Sequence, residues 1–104
     1  HQGYIEPHNA TVDWNQDKKI NIWVSTQSAF DIRGRTAEIL DLNPSDVKTT
    51  PMEIGGGFGA KFDPYACPIA ALLSKKTGRP VKIVHTRKEE FESTGPTPGS
   101  NVKV

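Results

Sequence analysis

Apolar and polar residues alternate over two short stretches near the start of the chain. Residues 11–14 and 20–24 each have the pattern of a strand, with Ile20, Ile22 and Val24 on one side and Asn21 and Trp23 on the other. The polar run NQDKK lies between them, so a hairpin is the simplest pairing. From residue 29 to 40 the period lengthens to that of a helix. Phe30, Ala37 and Leu40 share one face, and Ile32 and Ile39 flank it. Ser28 is placed to cap this helix, and Asp31 sits in its positive first turn. Gly34 costs the helix about 1 kcal/mol against alanine unless something packs closely there. Asn43-Pro44 ends it, and residues 47–54 are extended again.

A second helix is expected after Asp63-Pro64, which reads as N-cap and first helical residue. Pro68 would interrupt its first turn, so the regular part is expected to start there. Ile69, Leu72, Leu73 and Tyr65 form its expected buried stripe, and Gly78 with Pro80 supplies the stop. Residues 81–85 alternate as a strand. Thr86 and Glu89 then have the spacing of a capping box, opening a short helix that ends near Phe91. The order ββαβαβ predicts an α+β fold, a small mixed sheet with two main helices. Residues 1–104 read as a single partial domain, with a loop at 95–99 and residues 93–104 as its terminal loop and truncated strand.

Composition adds bounds. A hydrophobic fraction of 35% in 104 residues predicts a thin core, one suited to completion by something outside it. The chain begins at His1 and stops within the alternating run Asn101-Val102-Lys103-Val104, which reads as a segment of a longer polypeptide. With 13 basic against 12 acidic residues there is no electrostatic case for nucleic acid. No apolar run has the length of a membrane span. The single Cys67 fits a reducing compartment, and a cytoplasmic location is expected. At the start of a helix it is better read as a small buried hydrophobe than as a nucleophile. His1, Glu6 and His8 in HQGYIEPH match no standard metal-ligand spacing, so a polar supporting loop is expected and no protein metal ligand is assigned.

The candidate chemistry centres on residues 55–61, GGGFGAK. So much bare backbone suits a bend where peptide groups approach a ligand closely. A Walker phosphate loop needs Gly before the lysine and Ser or Thr after it. Here Ala60 and Phe62 stand there, and the match fails. Residues 55–60 satisfy the relaxed dinucleotide pattern G-x-G-x-x-[GA], but the acidic residue expected about 20 positions on is replaced by KKTGR. A glycine bend that serves packing alone is an open alternative. So is an ordinary turn role for Gln27, whose neutral amide stands between a strand and a helix.

Four motifs in order, HQGYIEPH, WVSTQ with an arginine-bearing helix, GGGFGAK and TGRPVKIVHTRKEEF, resemble the molybdenum-cofactor-binding large subunit of the molybdenum hydroxylases. That family includes xanthine dehydrogenase, aldehyde oxidase and the aerobic carbon monoxide dehydrogenase. The resemblance runs from His1 to about Phe91, and the TGPTP stretch after it departs from the family. It implies a piece of a larger molybdopterin-binding domain. Gln27 would hydrogen-bond an oxo ligand of molybdenum, while Gly56, Gly57, Phe58 and Gly59 would lay their backbone against the cofactor. Glu6 and Pro7 match a glutamate–proline pair for which a structural role is expected. Phe62 stands where xanthine dehydrogenases carry a substrate-binding glutamate, which argues against purine oxidation and makes Phe62 a substrate-pocket candidate. The implied cofactor is molybdenum–molybdopterin. The implied partners are the rest of the large subunit, iron–sulfur and FAD modules, and a small-molecule substrate. This segment by itself is expected to be inactive. The alternative is a free-standing α+β module whose glycine loop holds another anion or a partner without catalysis.

Overall fold

A computed structural model of the chain describes residues 1–95 and 99–103. Four strands form one mixed sheet. β1 (Asn9–Trp14) and β2 (Ile20–Val24) make the expected antiparallel hairpin, with Val12 opposite Ile22. Its turn closes through Asn15, which accepts the Lys19 amide on its side chain. β3 (Val47–Pro51) runs parallel to β2, and β4 (Val81–Val84) runs antiparallel to β1, giving the order β3-β2-β1-β4. A parallel neighbour needs a crossover, which α1 (Ala29–Ile39) provides. α2 (Cys67–Thr77) carries the chain from β3 to β4, and α3 (Arg87–Ser93) follows behind the predicted capping box of Thr86 and Glu89. No helix of the described residues is long and apolar enough to cross a membrane.

One face of the sheet is the core face. Ala10, Val12, Ile20, Ile22, Val24 and Val47 are buried there against Ile32 and Ala37 of α1 and Ala66, Cys67, Ala70 and Ala71 of α2. The strand periods place these residues correctly. The helix stripes differ from expectation. Ile69, Leu72 and Leu73 are exposed, and the buried side of α2 is Cys67, Pro68, Ala70, Ala71 and Ser74. Small side chains let the helix sit close to β1, where Ser74 Oγ accepts the Trp14 amide at 2.9 Å. In α1 the buried residues are Ile32, Thr36 and Ala37, while Phe30 and Ile39 face solvent. Nothing packs against Gly34.

Boundaries also move: β1 starts at Asn9, α1 stops at Ile39, β3 at Pro51 and β4 at Val84. α2 starts at Cys67, because Pro68 lies in the first turn where no intrahelical N–H is required. Asp63 does not cap it; Ala66 is the N-cap residue and makes no side-chain bond. α3 continues to Ser93, past Phe91. The reading of 95–99 as a loop and of 101–104 as a strand end falls partly outside the described residues. Residues 99–103 carry no helix or strand.

Candidate functional site

The parallel strands β2 and β3 end side by side, Val24 opposite Pro51, and the Met52 amide prolongs the pairing to Val24 O at 3.0 Å. Two loops therefore leave the sheet from one edge, Ser25-Thr26-Gln27 towards α1 and residues 52–63 towards α2. Ligands of open α/β layers commonly bind beyond such carboxyl ends.

The glycine loop turns tightly at residues 57–60. The Ala60 amide bonds Gly57 O at 2.9 Å, and the two central residues, Phe58 and Gly59, have φ of 49° and 87°. Positive φ at both central positions is the type I′ arrangement, natural for glycine and strained for phenylalanine by about 1–3 kcal/mol. The Phe58 side chain is exposed all the same. Gly56 lies between Phe58 and Tyr4, each within 3.1 Å of where a Cβ would stand.

Gln27 sits directly against this turn. Its amide oxygen accepts the backbone N–H groups of Gly59 (3.0 Å) and Lys61 (3.2 Å), and its own backbone amide bonds Lys61 O at 2.9 Å. Two donors on one atom identify it as Oε1. The Nε2 hydrogens are left without a protein partner among the described residues, on an exposed side chain. Gly57 makes the fit possible, since a Cβ there would stand 2.5 Å from Gln27 Oε1.

Two acids hold the loop from beneath. Glu6 Oε2 accepts from the Gly55 amide at 2.8 Å, from Lys61 Nζ at 2.7 Å and from Ser25 Oγ at 2.5 Å. Lys61 is fully buried, and its ammonium also lies 5.0 Å from the Tyr4 ring centre. This lysine points under the loop, unlike the phosphate-binding lysine of a Walker loop. Glu90, also fully buried, accepts from the Tyr4 hydroxyl, from the His8 amide at 2.5 Å and from His8 Nδ1 at 2.8 Å. The opposite ring nitrogen, His8 Nε2, reaches Ala60 O at 3.1 Å. Each ring nitrogen thus faces an oxygen of the protein.

Burial by itself would raise the Glu6 pKa, but the hydrogen bonds from Lys61, Ser25 and Gly55 outweigh it and bring it from 4.5 to about 2. Burial also opposes ionisation of Glu90, and the bonds from Tyr4 and His8 again prevail and hold it low. A carboxylate with a depressed folded-state pKa contributes its full stability above the unfolded value. That contribution is lost as pH falls towards the folded value. For Glu6, about 30% exposed, it amounts to about 1–2 kcal/mol after solvent screening. Urea midpoints should therefore fall between pH 4.5 and pH 2, and Glu6→Gln should flatten part of that slope.

The HQGYIEPH residues go to separate partners. His1 Nε2 meets Thr94 Oγ1 at 3.0 Å, His8 serves Glu90 and Ala60, and Glu6 serves Lys61. His8, His85 and Glu90 do lie close together, but the Glu90 oxygens are occupied by Tyr4 and His8 as donors. Phe62 is partly exposed beside the loop. Cys67 is buried, which pushes its thiol up to about 12 and removes it as a nucleophile. Sequence reasoning missed the partners of Lys61 and the contribution of Tyr4 and Glu90. A signal was present in Lys61 itself, a charge whose Walker role had failed and which needed another partner.

A family model described as the molybdopterin cofactor-binding domain matches residues 1–104. The chain belongs to this family. A probable xanthine dehydrogenase subunit of Bacillus subtilis (strain 168) is 34% identical over 90 residues, covering 86% of this chain and 12% of that protein. The nicotinate dehydrogenase large molybdopterin subunit of Eubacterium barkeri is 36% identical over 86 residues, covering 83% and 20%. The aldehyde oxidoreductase of Desulfovibrio gigas superimposes with a TM-score of 0.81 at 27% identity, over 89% of this chain and 10% of that one. The chain thus spans a fifth or less of the length of these three. The molybdopterin-binding fold agrees with the α+β expectation, with α3 added to the order.

Proposed function

We propose that this chain forms one wall of the molybdopterin site in the large subunit of a molybdenum hydroxylase. One observation carries the reading. The Gln27 carboxamide is clamped by its oxygen against the glycine turn, so its two amide hydrogens are aimed outward at fixed orientation. An anionic pterin cofactor needs donors without bulk, and a neutral amide supplies them without burying a second charge. The bare turn at Gly57, Phe58 and Gly59, with Gly56 before it, fits the same group. The missing Cβ at Gly57 is what lets the Gln27 carboxamide lie against the turn.

In this role Gln27 would hold the cofactor by donating from Nε2. The turn approaches the pterin with its backbone. Glu6, Lys61 and Ser25 keep that backbone in place from the far side. When bound, the cofactor supplies the redox chemistry that inserts water-derived oxygen into a substrate carbon or oxidises carbon monoxide, passing electrons to iron–sulfur and flavin partners. Phe62 offers a hydrophobic ring where a purine would want a carboxylate. This favours an aldehyde, an aromatic heterocycle, an acyl thioester or carbon monoxide as the parent enzyme's substrate. The remainder of the large subunit would supply the other contacts, in the cytoplasm.

The test is to purify the full-length protein from cells supplied with molybdate. Stoichiometric molybdenum and pterin are expected, with substrate-dependent dye reduction. Protein that is folded but free of pterin would overturn the reading. Gln27→Ala should lower turnover about 100-fold, the lower end of the cost of removing one oriented donor, with little loss of folding. Unchanged turnover in a fully loaded variant would remove Gln27 from contact with the cofactor.

A further inference from the structure

The geometry points to His8 as a positioning residue that acts on Gln27 through a single peptide group, an inference that rests on the molybdopterin reading above. The peptide joining Ala60 to Lys61 is held on both edges. Its carbonyl oxygen faces His8 Nε2 at 3.1 Å, and its N–H points to Gln27 Oε1 at 3.2 Å. A peptide group is planar and turns as one unit. Rotation that releases the carbonyl therefore also swings the N–H away from Gln27. The same Ala60 residue closes the glycine turn through its amide to Gly57 O. One imidazole N–H thus sets one of the two peptides that clamp the carboxamide, the other being that of the Gly59 amide.

His8 is fitted for this by its surroundings. Its side chain is buried, and the Tyr65 ring packs against it edge-on with centroids 4.9 Å apart. Glu90, from α3, grips Nδ1 and the His8 backbone amide together, and is itself fixed by Tyr4. The ring therefore cannot turn to bring Nε2 elsewhere without breaking a charge-assisted bond. The unpaired cost of a buried carbonyl makes the Nε2 contact matter, because Ala60 is itself buried.

Two substitutions separate the two ends of the ring. In His8→Gln the amide nitrogen falls near the position of Nε2 and can still donate to Ala60 O. In His8→Asn the shorter amide falls near Nδ1, keeping Glu90 but not reaching the carbonyl. Each would be introduced into the full-length protein, with pterin and molybdenum content, urea midpoint and hydrogen–deuterium exchange over residues 57–63 measured together. Expected is about a tenfold loss of retained pterin in His8→Asn, the scale of one lost hydrogen bond at a buried carbonyl, with faster exchange at Lys61. His8→Gln should restore retention to within about twofold at a similar urea midpoint. Equal losses in both variants, tracking their urea midpoints, would reduce His8 to a stability role and overturn the proposal. Equal retention in both would overturn it as well. Pterin missing from the unmodified folded protein would overturn the molybdopterin reading beneath it, and this inference with it.

Discussion

Gly57→Ala is expected to leave the fold standing and remove the function. The new Cβ would lie 2.5 Å from Gln27 Oε1, 2.7 Å from Cδ and 2.9 Å from Cγ. Three successive atoms of one side chain cannot all tolerate such contacts, and Gln27 is exposed, so it can swing outward cheaply. The cost to stability is then two hydrogen bonds, about 1–2 kcal/mol. The cost to the site is its orientation, because Oε1 leaves both backbone donors and Nε2 no longer aims where it did. Displacements of this size lower turnover by about 100-fold in preorganised sites. Steady-state turnover and pterin content of the full-length variant measure the effect, and a thermal melt measures the fold. Gly34→Ala, in α1 with open space around it, is the control, and is expected to raise stability by up to about 1 kcal/mol with turnover unchanged. A Gly57→Ala protein that kept full turnover would show that the Gln27 orientation does not matter.

Lys61→Met should destabilise the fold more than Gly57→Ala or Gln27→Ala. The Lys61 side chain is wholly buried, and its ammonium neutralises Glu6 at 2.7 Å while also bonding Ser25 Oγ at 3.2 Å. Methionine fills similar volume but leaves the Glu6 carboxylate without its cation. Removing one partner of a buried pair costs about 3–5 kcal/mol, and the partial exposure of Glu6 reduces this to about 2–3 kcal/mol here. Denaturant unfolding measures it directly. Lys61→Met combined with Glu6→Gln should recover more than half of the loss, since the stranded charge is then gone. If the single and double variants unfold at the same denaturant concentration, the ion pair is not what holds the loop.

The residues that were legible in the sequence are those whose partners lie nearby in the chain. Alternation placed Ile20, Ile22 and Val24 on the core face, and the three-residue spacing of Thr86 and Glu89 became a real capping box. The glycine turn could be recognised because its conformation is a property of its own residues. The buried face of α2 could not. Counting hydrophobicity favours Ile69, Leu72 and Leu73, whereas close approach to the sheet selects Ala70, Ala71 and Ser74. Local pattern scores side chains one at a time, and packing scores the distance between backbones.

By itself, then, the amino-acid sequence determined the strands, the approximate helices, the glycine turn and, through four ordered motifs, the family. Only the tertiary structure decided how the turn is held. Glu6 and Lys61 are 55 residues apart, and His8 and Glu90 are 82 apart. No periodicity links positions so distant. They meet because a mixed sheet returns the N-terminal segment, the end of β2 and the start of α3 to one edge. There buried charges must find partners or leave the interior. Those partners orient Gln27, so the aim of the site is a property of the fold and not of the motif that contains it.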